Sequence, residues 1–279
     1  MFENEISLDD AIRTALKEDL GPGDLTTDAI IPPESRGKAS LLAREDLVLA
    51  GIQVFSRVFK LLSAETAFEY FFSDGQSVPA GETICIISGP TGAILKAERT
   101  ALNFLQRMSG IATLTKIYVD KVGSNRVRVV DTRKTAPGLR LFDKYAVRMG
   151  GGFNHRMGLF DGILIKDNHI SAAGSVAKAV SLARGGAPHT IKVEVEVEDL
   201  DGVEEALRSG ADVILLDNMT PEMMQKAVDL VGGRATTEAS GGINLGNIEE
   251  IAKTGVDIIS VGALTHSLRA VDLSLEIVG

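Results

Sequence analysis

The sequence predicts an α/β protein with a smaller N-terminal α/β domain followed by an incomplete parallel α/β barrel. Three observations carry this. From about residue 126 onward, short apolar runs alternate with amphipathic segments, the rhythm of a parallel sheet with right-handed crossovers. Before that point, extended pieces and turns follow one another without regular alternation. Polar or small residues also end successive strands at Lys166, Glu196, Asp217, Ser240 and Gly262. The last three steps are 21, 23 and 22 residues, the size of one strand–helix unit.

Taken in order, residues 7–20 read as a helix with an apolar stripe of Leu8, Ala11, Ile12, Ala15 and Leu16. Ser7 with Asp10 resembles a capping box, and GPGD at 21–24 is a stop signal. Extended segments are expected near 39–43, 68–72 and 83–88, parted by the turn-forming SDGQ and PAGE. A long helix runs from Ala97 towards Tyr118, with Ala101, Leu102, Leu105 and Met108 on its apolar side. VRVVD, ILIK, IKVEVE, VILLD, ATTEAS and DIISVG then read as six buried strands, with helices between them. Thr220 and Pro221 form an N-cap and first-turn pair. Six units fall short of the eight of a full barrel, so a shortened or incompletely closed one is expected. A doubly wound open sheet is the alternative. No glycine-rich nucleotide fingerprint follows the first strand, which counts against a dinucleotide fold.

The 279 residues hold one barrel-sized domain, or a smaller barrel with a second domain. A net charge of -9 argues against general nucleic-acid binding. The single cysteine, Cys85, lies in the apolar run ICII and reads as a buried thiol. The acidic N-terminus has no apolar core, so no secretory signal is expected. No apolar run is long enough for a membrane span, and a cytoplasmic location follows.

Against this acidic background, residues 131–169 are cationic. Arg133, Lys134, Arg140, Lys144, Arg148, Arg156 and Lys166 outnumber Asp131, Asp143, Asp161 and Asp167, which implies an anionic client. Arg140, Lys144 and Arg148 are spaced by four and read as one exposed helix face. Arg133, Lys134, His155, Arg156 and Lys166 read as functional. In a parallel barrel the C-terminal strand ends share one rim, so these side chains converge with Glu196 and Asp217. Asp217 has a second reading as a helix cap. Glu194, Glu196 and Glu198 alternate with valines and fall on one side of a strand, where they repel unless cations or a metal stand opposite. Asn168 and His169 read as loop-fixing groups, and His189 and His266 as structural. No two histidines have zinc-ligand spacing. ASGGIN (239–244) and SVGALT (260–265) follow the last two strands, where barrels hold phosphate on backbone N–H groups. The rim thus offers a phosphate cradle, acids for ribose hydroxyls or Mg²⁺, and a cationic wall. This set suits a phosphorylated sugar reacting with a carboxylated partner. A barrel lyase or isomerase acting on a sugar phosphate stays open on the fold alone.

DTRKTAPGLR, GGGFNHRMGLFDGILIKDNHI, KVEVEVEDL, VILLDNM, EASGGI and SVGALTHS, in that order, closely resemble the quinolinate phosphoribosyltransferases. So do EDLGPGDLTTD (18–28) and AERTALNFLQRMSGIAT (97–113), and the likeness covers nearly the whole chain. The resemblance implies an N-terminal α/β sandwich domain at 1–110, joined by a tail at 266–279, and a barrel at 111–265. It implies conversion of quinolinate and phosphoribosyl pyrophosphate to nicotinate mononucleotide, pyrophosphate and CO2, on the route to NAD. It places Arg99, Arg133, His155, Arg156 and Lys166 against the quinolinate carboxylates or the pyrophosphate, with Thr132 and Lys134 also in the substrate site. Glu196 and Asp217 would hold ribose hydroxyls and Mg²⁺, and Ser240, Gly241, Gly242 and Gly262 would cradle the 5′-phosphate. Lys134, Glu196 and Asp217 would be the catalytic groups. A homodimer or a dimer-based hexamer is implied, with Arg99 entering the neighbouring subunit's site. Action on nicotinate itself, and a non-catalytic paralogue, remain the alternatives.

Overall fold

The structure is a computed structural model and describes residues 5–123 and 126–278. In chain order come α1 (Glu5–Leu20), α2 (Leu25–Ile30), β1 (Arg36–Ala43), β2 (Leu47–Val48), α3 (Ile52–Leu62), β3 (Ala67–Tyr70), β4 (Ser77–Val78), β5 (Thr83–Pro90) and α4 (Thr91–Val122). Then follow β6 (Arg128–Val130), α5 (Arg140–Met149), β7 (Ile163–Ile165), α6 (Asp167–Ala173), α7 (Val176–Gly186), β8 (Val193–Val197), α8 (Leu200–Arg208) and β9 (Val213–Asp217). The chain continues through α9 (Pro221–Val231), β10 (Thr236–Ser240), α10 (Ile248–Lys253), β11 (Ile258–Ser260), α11 (Ala263–His266) and β12 (Leu273–Val278). Two compact units result. Among the described residues, one is built from those up to 116, from 136–151 and from 268 onward, the other from those within 117–135 and 152–267.

The first unit centres on an antiparallel sheet in the order β12-β1-β5-β3. Ala39, Leu41 and Ala43 of β1 are fully buried and alternate with more exposed residues, the period-two pattern of a sheet with one covered face. Val54, Phe55, Val58 and Phe59 of α3 and Ile94, Ala97, Ala101, Leu105 and Met108 of α4 complete the core. Leu8, Ile12 and Leu16 bury the expected stripe of α1. The helix opens at Glu5, however, so Ser7 lies inside it and not at its cap. Cys85 is buried, and burial pushes its thiol up to about 12. Gly110 of α4 lies so close to the returning tail that a Cβ there would meet the Arg269 carbonyl at 2.3 Å. Helix α5 also belongs to this unit, and it departs from the sequence reading. Arg148 is exposed, but Lys144 is only 1% exposed. Asp143 beside it is fully buried and takes a two-pronged bond from Arg107, at 2.9 and 2.8 Å. Spacing by four marks one side of a helix, and here neighbouring elements cover more than the apolar side.

The second unit is a six-stranded parallel sheet in the order β6-β11-β10-β9-β8-β7. The first strand therefore pairs with the last, and the sheet stays open between β6 and β7. Phe153 adds a single parallel bridge beside Val130 at that edge. The sheet is curled. His155, just past this bridge, stands 3.2 Å from Glu194 on β8. Four strand spacings of a flat sheet would separate β6 from β8 by ~19 Å. Arg156 Nη1 also donates to the Gly162 carbonyl, just before β7, at 2.9 Å and spans the open seam. The incomplete barrel expected from the strand count is therefore present, and the open-sheet alternative is not.

Candidate active site

The rim is built at the C-terminal strand ends. After β6, the Lys134 N–H donates to Thr132 Oγ1 (3.1 Å), and the Lys134 carbonyl accepts from Thr265 Oγ1 (2.8 Å). The backbone is held while the ammonium stays exposed. After β7, Lys166 donates its N–H to His169 Nδ1 at 3.0 Å, so His169 fixes the loop as its position suggested. The Lys166 ammonium pairs with the Glu196 carboxylate near the end of β8. Asp217 closes β9 and accepts from Asn218 Nδ2 at 2.7 Å.

The glycine loops are shaped by contact. Asn218 sits in the left-handed region at φ 54, and its N–H donates to the Ser240 carbonyl at 3.0 Å. Its side chain fills the space beside Gly241, where a Cβ would lie 2.2 Å from Asn218 Oδ1. Gly241 itself has φ 87, so glycine is required there on both counts. Around Gly242 a Cβ would meet nothing within 4 Å, which leaves room for a ligand against the backbone. At Gly262 a Cβ would meet the His266 ring at 3.1 Å and the Lys134 stem at 3.3 Å. The last glycine loop therefore adjoins Lys134. His266, read from sequence as an isolated structural histidine, belongs beside this loop.

Beneath the rim lies a second layer. Buried Asp131 accepts from the His155 N–H (2.9 Å) and from Asn154 Nδ2 (2.6 Å), which fixes the turn carrying His155 and Arg156. His155 Nδ1 accepts from the Arg156 N–H at 2.8 Å. The ring proton is thereby placed on Nε2, which points at Glu194. Arg156 loses proton affinity, first through burial and then through the charge of nearby Arg133, while Glu194 and Asp161 oppose this. Two guanidiniums close enough for one to shift the other suit a ligand bearing two adjacent carboxylates. Glu238 of β10 lies 3.6 Å from His155 Nε2. Burial, then the charge of Glu194, pushes the Glu238 carboxyl up to about 7. Glu198 departs from the expected trio: β8 ends at Val197, and Glu198 is exposed beyond it.

Thr132, Arg133, Lys134, Lys166, Glu196, Asp217, Ser240, Gly241, Gly242 and Gly262 thus share one end of the barrel, with His155 and Arg156 below. Arg99 lies in the first unit, exposed on α4. Sequence reading missed Glu238, although period two counted back from Ser240 puts it on the same inward side. It missed Asp131 too, because a buried backbone clamp has no spacing signature. A polar cavity of about 570 Å³ enters the barrel from the opposite end, past Arg126, Arg128, Lys192 and Asp257, and reaches His155, Glu194 and Glu238. The glycine turns and the Lys166–Glu196 pair are at the other end, the rim at which parallel barrels build their active sites. Among the described residues, no helix is long and apolar enough to cross a membrane.

Known proteins share this sequence pattern and this fold. Residues 24–109 match the family described as quinolinate phosphoribosyl transferase, N-terminal domain, and residues 111–276 match its C-terminal domain. A probable nicotinate-nucleotide pyrophosphorylase [carboxylating] of Bacillus subtilis is 42% identical over 274 residues, 98% of this chain and 94% of that protein. The crystal structure of NadC from Streptococcus pyogenes superposes with a TM-score of 0.96 at 45% identity and covers 100% of both chains. The nicotinate-nucleotide pyrophosphorylase from Francisella tularensis gives 0.94 at 43% identity, covering 98% of this chain and 96% of that one.

Proposed function

The chain belongs to the quinolinate phosphoribosyltransferase family, and on that premise we propose how its rim carries out the family reaction. The substrates are quinolinate and phosphoribosyl pyrophosphate, and the products are nicotinate mononucleotide, pyrophosphate and CO2, for NAD biosynthesis. The observation that carries the reading is the gathering at one rim of the glycine turns, Lys134 and the Lys166–Glu196 pair, with Arg156 close enough to Arg133 to feel its charge. It supplies a site for a ring diacid next to a site for a sugar phosphate.

Arg133 and Arg156 hold the two ring carboxylates, with Lys166, His155 and Thr132 beside them. The glycine turns at Ser240–Gly242 and Gly262 take the 5′-phosphate. Bound in this way, the pyridine nitrogen faces the anomeric carbon. It attacks as the bond to pyrophosphate breaks, and positive charge develops on the ribose. Glu196 and Asp217 stabilise that charge electrostatically, while Lys134 stabilises the departing pyrophosphate. The alkylated ring nitrogen is then a cation. It accepts the electron pair released when the adjacent carboxylate leaves as CO2, and a proton takes the vacated position on carbon.

Glu196 and Asp217 lie on neighbouring strand ends and offer hard oxygen donors. Mg²⁺ is satisfied by one or two carboxylates with substrate phosphates and water, so the residues present fit it. Mg²⁺ bound there supplies charge neutralisation for pyrophosphate. Arg99 reaches the site of a second copy in a dimer or a dimer-based hexamer. The location is cytoplasmic.

Pure protein with Mg²⁺, quinolinate and phosphoribosyl pyrophosphate should release CO2 and form nicotinate mononucleotide; absence of both products sinks the reading. Lys134→Ala should lower turnover about 100-fold or more, with melting unchanged because only the backbone of Lys134 is structural. A fully active variant removes the role assigned to it. Nicotinate used in place of quinolinate without CO2 release would favour the related nicotinate transferase.

A further inference from the structure

We propose that Glu194 and Glu238 are positioning residues that set the affinity for the ring diacid from inside the barrel, acting through His155 and Arg156. The proposal rests on the transferase reading above. His155, Glu194 and Glu238 come from three separate segments and meet with His155 Nε2 3.2 and 3.6 Å from the two carboxylates. Both glutamates are buried, and one oxygen on each, Glu194 Oε1 and Glu238 Oε1, has no hydrogen-bond partner. Buried acids with unfilled acceptors destabilise a fold, and an apolar pair of similar size would pack more favourably. The cluster therefore calls for a role other than stability.

A metal centre is the first alternative, because the three donor atoms lie within 4.8 Å of one another. The hydrogen bonding argues against it. A metal-bound histidine donates from its far nitrogen to an acceptor. Here the far nitrogen, Nδ1, accepts from the Arg156 N–H, so the nitrogen facing the glutamates carries the proton. His155 is a donor into the cluster, not a ligand.

Two links run from the cluster to the substrate site. The first is geometric: the ring that the glutamates hold also holds the Arg156 N–H, and Arg156 Nη1 is anchored at Gly162. The second is electrostatic: Glu194 lies close enough to Arg156 to oppose the repulsion from Arg133. Glu238 contacts Glu194 and Ser260, and burial raises its carboxyl so that the proton is held below about pH 7. It then donates to Glu194 and leaves one negative charge in the pair. Loss of either glutamate loosens the His155–Arg156 turn and removes the counter-charge that keeps the two arginines together.

The test is calorimetric binding to the full chain, which needs no turnover. Pyridine-2,3-dicarboxylate and phosphoribosyl pyrophosphate are titrated separately into the wild type and into Glu194→Gln, Glu238→Ala and Glu238→Gln. Glu194→Gln and Glu238→Ala should weaken the dicarboxylate about 10-fold or more, while the sugar donor changes by less than about twofold. Glu238→Gln, which keeps a donor towards Glu194, should recover most of the loss seen in Glu238→Ala. Unchanged dicarboxylate affinity, equal weakening of both ligands, or no recovery in Glu238→Gln overturns the proposal. If Glu238→Ala does not melt cooperatively, the isosteric Glu194→Gln decides alone. A wild-type protein that binds no dicarboxylate refutes the transferase reading itself.

Discussion

Glu238 also links the barrel interior to pH. Its carboxyl is pushed from an ordinary 4.5 up to about 7, chiefly by burial and then by Glu194. Below pH 4.5 the folded and unfolded chains both hold this proton, and the group contributes no pH dependence. Between pH 4.5 and about 7 the unfolded chain releases it while the folded chain keeps it, so stability falls as pH rises. Above that window the loss is constant, on the order of 3 kcal/mol. The wild type should therefore lose melting temperature across this window relative to Glu238→Gln, and parallel melting-versus-pH curves would contradict it. The same residue shows where sequence reading stops. The placement of Lys166, Glu196, Asp217, Ser240 and Gly262 was legible because regular strand–helix units set where strands end. Glu238 lies two residues inside an end, in a run that reads as ordinary strand. Asp131 acts through contacts with Asn154 and His155, far along the chain, and no local pattern records such contacts. Lys144 misled for the same reason, since its burial depends on what packs against α5.

At the level of elements, the six strands and the helices between them follow directly from apolar runs and their breakers. The ends are less legible. Helix α4 begins at Thr91, six residues before the expected start at Ala97, and α10 keeps only Ile248–Lys253 of a longer amphipathic segment. Helix boundaries depend on capping and tertiary contact as well as on periodicity. The junction of β9 with β10 shows what contact adds. Ser240, Asn218 and Gly241 interlock, so the loop geometry of one strand end depends on its neighbour. Gly241→Ala meets both a left-handed backbone and a clash with Asn218, whereas Gly242→Ala meets the backbone strain alone. Gly241→Ala should cost about 2–4 kcal/mol and Gly242→Ala about 1–2. Urea unfolding checks the order, and a larger loss in Gly242→Ala would refute the interlock. Because Asp217 precedes Asn218, Gly241→Ala should also weaken phosphoribosyl pyrophosphate binding.

For the whole molecule, the relevant division lies between the unit that carries the rim and the unit that carries Arg99. If Arg99 serves the site of a second copy, each defect can be compensated in a hybrid. Arg99→Ala and Lys134→Ala should each be inactive alone. Random mixing of the two should restore about a quarter of wild-type activity, from hybrid dimers with one intact site. Verified hybrids with no activity would exclude a shared site. The fold class and the site type were legible at this scale because long ordered motifs carry both. The closing of the first unit was not derivable from local pattern, since β12 pairs with a strand far back in the chain.

That pairing has a consequence for how the protein is made. Arg44 and Ser274, bonded side by side, are 230 positions apart. On the ribosome, β1 and β5 emerge early, but the strand that covers the other edge of β1 emerges last. At roughly 5–20 residues per second, that edge waits on the order of ten seconds or more with its backbone groups unpaired. An unpaired strand edge is a template for association with other chains. The barrel, encoded between β1 and β12, is synthesised during that interval and can fold before the first unit is complete. Vectorial synthesis therefore reverses the order that the sequence suggests: the domain that begins first finishes second.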